Sequence, residues 1–197
     1  MKRLVYFILV LFFISINIFS QDDYDEPTPV RKTKGFIGSA AIGFGVPVGD
    51  LDAGYKGGFN ISANAGYIFS NLFGARFGVA YNRFSLDAAL DGGAMNIISM
   101  RGDFLVGNFK KNAKTILYSL AGIGAYFKST GDIKDNNTLV NQGSSEMDFG
   151  IAIGGGAAFK FSKKVAFFGE LQYNHSFNDK LAPASFVPFK VGVMMIP

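Results

Sequence analysis

The sequence predicts an all-β chain, an eight-stranded antiparallel up-and-down transmembrane β-barrel with a filled polar interior. Three observations lead there. From Gly35 onward, apolar and polar residues alternate with period two in segments of roughly ten to fourteen residues, separated by turn-forming clusters. The connections between segments alternate long and short. Aromatic residues recur on one parity of a segment at a spacing of eight or ten positions.

The chain begins with a different kind of segment. Lys2 and Arg3 precede an apolar run, LVYFILVLFFISINIF, and Ser20-Gln21 offers a small residue before a cleavage point. Residues 1–20 therefore read as a secretory signal peptide, with an uncleaved membrane anchor as the alternative because an apolar run of about 17 residues is at the lower limit for spanning a bilayer. Residues 21–34, QDDYDEPTPVRKTK, carry acids, two prolines and then basic residues with no apolar period, and read as a disordered periplasmic leader. Residues 35–197 form the barrel domain.

The eight segments run approximately from Phe36 to Val46, Gly57 to Phe69, Phe73 to Phe84, Met95 to Gly107, Thr115 to Lys128, Met147 to Phe161, Val165 to Phe177 and Phe186 to Ile196. The second shows the pattern clearly: in FNISANAGYIF, Phe59, Ile61, Ala63, Ala65, Tyr67 and Phe69 share one face, and Asn60, Ser62, Asn64 and Gly66 the other. Glycine at 25 residues and phenylalanine at 22, with no tryptophan, suit closely packed short strands.

After the first, third, fifth and seventh segments come PVGDLDAGYK, SLDAALDGGA, STGDIKDNNTLVNQGSSE and NDKLAPAS. After the second, fourth and sixth come SNL, NFKKNAK and SKK. Outer-membrane barrels have short periplasmic turns and longer outside loops. A chain entering from the periplasm sends its first strand outward, which puts all four long loops outside.

Alternation alone does not distinguish a barrel with apolar residues inward, such as a soluble ligand carrier, from one with them outward. Aromatic placement does. A strand rising about 3.3 Å per residue and tilted near 40° climbs roughly 2.5 Å per residue, so girdles flanking an apolar band about 25 Å tall fall about eight to ten residues apart. Phe36 and Phe44 have this spacing, as do Phe59 and Tyr67, Phe149 and Phe159, and Phe167 and Phe177. Between them the same parity is mostly aliphatic or small. A soluble core has no reason to sort its aromatics by height.

The opposite parity then lines the lumen, and it holds Arg76, Arg101, Asp103, Glu170 and Lys190 beside several Asn, Ser and Gln residues. Eight strands enclose a space that side chains fill, and charges there must be paired because an isolated buried ion costs several kcal/mol. Arg101, Asp103, Glu170 and Lys190 stand at similar heights above the short turns. The expectation is a mid-height network pairing Glu170 with Lys190, and Arg101 with Asp103 or a residue across the lumen.

Segments such as YSLAGIGAY and GAAFKFSKKVAFFGELQYNHSF, with the strand-turn rhythm of residues 35–197, resemble small eight-stranded outer-membrane barrels of the OmpA transmembrane-domain or OmpX type. The resemblance implies residence in the outer membrane of a Gram-negative bacterium. It also implies contact with outer-membrane lipid and lipopolysaccharide, and delivery by the outer-membrane assembly machinery. The chain departs from the pattern at its end, VGVMMIP, where such barrels carry an aromatic residue that this machinery reads. The family includes structural, adhesive, pore-like and enzymatic members, so likeness does not assign a role.

Candidate sites are few. The chain has no cysteine, which removes thiol chemistry and disulfides. Its single histidine, His175, precedes Ser176, but neighbours on a strand point to opposite faces, and a base must lie within about 2.6–3.2 Å of its nucleophile. Asp132, Asp135, Glu146 and Asp148 lack the spacing of a twelve-residue calcium loop. GIAIGGGAAF lacks the Lys-Ser/Thr of a phosphate-binding loop and lies within a strand. Setting aside Lys2 and Arg3 leaves 17 basic against 15 acidic residues with no basic stripe, so nucleic acid is not an expected partner. No catalytic residue, cofactor or metal is expected.

The leading expectation is a structural or surface-contact barrel acting through its outer loops, whose partner the sequence does not name. The alternatives are a lipid-modifying enzyme using His175 and Ser176, a narrow pore or gate for small solutes, and a soluble carrier of lipocalin type.

Overall fold

A computed structural model describes residues 33–86, 91–135, 138–177 and 183–197. The expected signal peptide and all but the last two residues of the leader lie outside the described residues. Eight long strands follow in order: β1 (Gly35–Val48), β2 (Tyr55–Ile68), β3 (Phe73–Leu86), β4 (Met95–Gly107), β5 (Thr115–Thr130), β6 (Ser145–Lys160), β7 (Val165–Phe177) and β8 (Ser185–Met195). Each pairs antiparallel with its neighbours in sequence, and β8 returns to β1 through a register running from Gly38 opposite Met195 to Val48 opposite Ser185. The sheet therefore closes, leaving no unpaired barrel edge. Strand ends fall within two residues of the sequence-based bounds.

The side chains face as a membrane requires. Phe36 is 82% exposed and Ile123 72%, while Glu170 is 1% and Lys190 2% exposed. In β2, Asn60 and Ser62 are buried and Phe59 and Ile61 exposed. A water-soluble carrier would show the reverse, so the apolar outer wall and charged interior set that alternative aside.

The turns at one end are tight. Ser70 Oγ accepts hydrogen bonds from the amides of Leu72 and Phe73, at 3.2 and 3.1 Å. Ser162 Oγ does the same for Lys164 and Val165, at 3.3 and 3.1 Å. A serine hydroxyl stands in for a missing backbone acceptor and fixes each turn. At the other end β1 passes into a 3-10 turn, Gly49–Ala53, where Gly49 takes the left-handed φ of 67° and Leu51 folds inward.

Short strands Asp91–Gly92, Ile133–Asp135 and Thr138–Asn141 form a separate three-stranded sheet with Ile133–Asp135 in its centre. This sheet joins the second and third outer loops.

Candidate functional site

The interior is built in three layers. Nearest the short turns lies an apolar cluster that includes Ile68, Leu105, Leu120, Phe168 and Met194. At mid-height sits a charged network, and toward the outer loops a second apolar cluster comprises Leu51, Phe84, Ile97, Tyr126, Ala184 and Phe186. Leu51 and Ala184 come from outer loops, so those loops help to cap the lumen. Phe186 packs edge-on against Phe84 at 5.4 Å between ring centroids, and against Tyr126 at 6.4 Å.

Glu170 is the hub of the network. Its carboxylate receives both terminal nitrogens of Arg76, at 2.8 and 3.1 Å, across the lumen from β7 to β3. Lys190 Nζ on β8 reaches the same carboxylate at 2.8 Å, as expected for residues opposite each other in the register. The hydroxyl of Tyr118 on β5 donates to it at 2.8 Å, and Gln172 Nε2 donates at 2.8 Å. A carboxylate accepts several such bonds at once, and the two-pronged arginine contact fixes its plane.

Asp103 is the second anion. It accepts from Arg76 Nε at 3.0 Å and from Arg101 Nε at 3.3 Å. Arg101 also spans the lumen, donating to Gln172 Oε1 at 3.0 Å and to Asn174 Oδ1. Five strands are thereby tied across the tube by groups that water does not reach. Among the described residues this mid-height network holds three cations, Arg76, Arg101 and Lys190, against two carboxylates.

Space for these long side chains comes from glycines on the facing strands. A Cβ on Gly122 would lie 2.1 Å from Asp103 Oδ1, and one on Gly156 would lie 2.7 Å from the Tyr118 hydroxyl. The run GIAIGGGAAF thus lies within β6 and supplies room there.

The aromatic residues named for the rims stand on the outer wall: Phe36, Phe44, Phe59, Phe149, Phe159, Phe167 and Phe177 are exposed, and Tyr67 packs edge-on to Phe36 at 5.2 Å. His175 shares this wall, 5.0 Å from Phe177 between ring centroids, while Ser176 is fully buried and accepts from the amide of Ala184 at 3.2 Å. The two do not meet.

His175 Nδ1 instead shares a 2.8 Å hydrogen bond with Ser185 Oγ on β8, a pairing set by the cross-strand register. Sequence reasoning missed it because Ser185 lies ten positions away in a segment read as loop. It also missed Lys128 with Asp148, whose ammonium and carboxylate meet at 2.5 Å near the outer mouth. Both residues are polar on the inward parity, a signal that would have found them.

Similar proteins share this architecture. Neisserial surface protein A superposes with a TM-score of 0.62 at 16% identity, covering 83% of this chain and 99% of that one. OprG from Pseudomonas aeruginosa gives 0.57 at 10%, covering 83% and 95%. The N-terminal β-barrel domain of Pseudomonas aeruginosa OprF gives 0.54 at 12%, covering 84% and 98%. At these identities the likeness is one of fold. No curated protein matches the sequence. The family model described as an outer membrane protein beta-barrel domain, however, matches residues 9–195, and with an eight-strand closure that turns its apolar wall outward, this chain belongs to the outer-membrane β-barrel family.

Proposed function

We propose that this barrel is a sealed, non-catalytic scaffold whose contribution to the cell envelope is structural or made through contacts of its outer loops. The observation that carries this reading is the lumen, where an ion network is stacked between two apolar layers and leaves the outside as the working surface. The joined second and third loops give that surface a hydrogen-bonded frame, and loops held on a rigid scaffold commonly carry recognition. On this reading residues 1–20 are a cleaved export signal. Lipopolysaccharide surrounds the upper girdle, and the assembly machinery inserts the barrel.

The test compares a deletion strain complemented with the full chain and with a variant in which residues 132–142 are replaced by a short turn. Full-chain rescue of envelope integrity and of cell-surface contact, with the loop variant rescuing integrity alone, is the expected pattern. Solute conductance in planar bilayers above background would overturn the sealed scaffold.

A second reading, hydrolysis of a lipid ester at the outer rim, has the His175–Ser185 hydrogen bond in its favour. Against it, Ser185 is buried, and the imidazole stacks on Tyr173 at 6.4 Å as part of the aromatic belt. The hydroxyl then serves to satisfy the ring nitrogen. Ser185→Ala should leave the mass spectrum of envelope lipids unchanged on overexpression; loss of a lipid product present with the unaltered chain would restore the enzymatic reading.

A further inference from the structure

The two ends of the barrel differ in charge. At the short-turn end the β4–β5 turn carries Lys110, Lys111 and Lys114, and the end of β6 with its following turn carries Lys160, Lys163 and Lys164. Every Asp and Glu among the described residues belongs to the lumen or to the outer half. The turn between β2 and β3, SNL, bears no charge, and apart from Lys34, which precedes β1 beside that turn, the described lysines of the barrel foot form an arc on the two neighbouring turns.

This arc is held together by the main chain. Lys160 Nζ donates to the carbonyls of Lys110 and Lys111, at 3.3 and 3.0 Å, and the Lys160 amide donates to the carbonyl of Lys114 at 2.9 Å. The two turns are therefore fixed side by side, with Lys111, Lys114, Lys163 and Lys164 exposed around the junction. Lys111, Lys114, Lys163 and Lys164 repel one another when gathered this way, and no Asp or Glu side chain of the described turns offsets them. An anion from outside the barrel would.

Height identifies the anion. Phe159, Phe161 and Phe167 are exposed on the wall directly above these lysines, and Phe161 stacks on Phe167 at 4.5 Å. An aromatic girdle marks the boundary between hydrocarbon and headgroups. Lysines one to five residues beyond it reach the phosphate layer with their ammonium groups while their stems lie along the apolar rim. We infer that the Lys111/Lys114/Lys163/Lys164 arc is a binding surface for anionic phospholipid headgroups of the leaflet facing the short turns.

The folded full chain in non-ionic detergent, titrated with phosphatidylglycerol or phosphatidylcholine and read by native mass spectrometry, tests this. The unaltered chain should retain phosphatidylglycerol at least tenfold better than phosphatidylcholine. Lys111→Gln/Lys114→Gln/Lys163→Gln/Lys164→Gln should lose that preference, whereas Arg83→Gln on the outer half should keep it. All four lysines are exposed, so heat-modifiable gel mobility should show the quadruple variant folded. Equal retention of the two lipids by the unaltered chain, or a preference that survives the quadruple change, would overturn the inference. So would displacement of the lipid by equimolar glycerol phosphate, which would make soluble phosphate the ligand. A preference seen only after deletion of the acidic residues 22–26 would likewise overturn it, assigning the arc to the chain's own leader.

Discussion

Glu170 is the residue on which the interior most depends, because its one carboxylate faces Arg76 and Lys190 and also accepts from Tyr118 and Gln172. Glu170→Gln would take from Lys190 the carboxylate it pairs with and leave Arg76 and Arg101 sharing Asp103, and breaking a buried ion pair from one side costs about 3–5 kcal/mol. A fall of that size is expected in the free energy of unfolding obtained by urea titration of the folded barrel, followed by gel mobility. Lys190→Met should be far milder, within about 1.5 kcal/mol, because it leaves two cations against two carboxylates and Arg76 still holds Glu170. Equal losses for the two variants would mean that the hub is not Glu170. A different residue tests the packing beneath the charges: Gly122→Ala sets a methyl 2.1 Å from Asp103 Oδ1, and such overpacking costs about 1–3 kcal/mol, readable in the same unfolding assay.

At the scale of elements, strands were the most legible feature. Period-two alternation over Phe59 to Phe69 states which residues share a face, and the girdle spacing states which face meets lipid. The pairing of Glu170 with Lys190 was legible for the same reason, since both stand at equal height on neighbouring strands. What alternation does not state is who meets whom across the lumen. Arg76 reaches Glu170 from β3 only because the closed sheet sets strand stagger and tilt, quantities that involve all eight strands at once. Nor does parity reveal height: Leu105 and Phe168 share the inward face with Asp103 and Glu170, yet they form the lower apolar layer. The His175–Ser185 bond was illegible because it depends on where β8 begins, and Ser185 reads equally well as the end of a loop. The paired loop strands likewise rest on contacts between segments far apart in sequence.

For the whole molecule, closure of the sheet and filling of its tube act together. A closed ladder satisfies every strand's backbone within the barrel, which is what a hydrocarbon surround demands, and the cross-lumen ion network then ties opposite walls. Unfolding in detergent must break both at once, so the folded barrel should migrate faster than its boiled form on a gel and should fractionate with membranes. The same filling argues against solute passage. Two aromatic rings, Phe84 and Phe186, pack against each other in the outer layer, and below them lie the network and then Leu105, Phe168 and Met194. Phe84→Ala/Phe186→Ala should therefore leave conductance in planar bilayers at background while lowering the unfolding midpoint, because large-to-small changes in a packed layer cost about 3–5 kcal/mol each. If that double variant conducted ions, the outer aromatic layer would be a gate, the lower layers would have to admit water, and the barrel would belong with narrow pores instead of scaffolds.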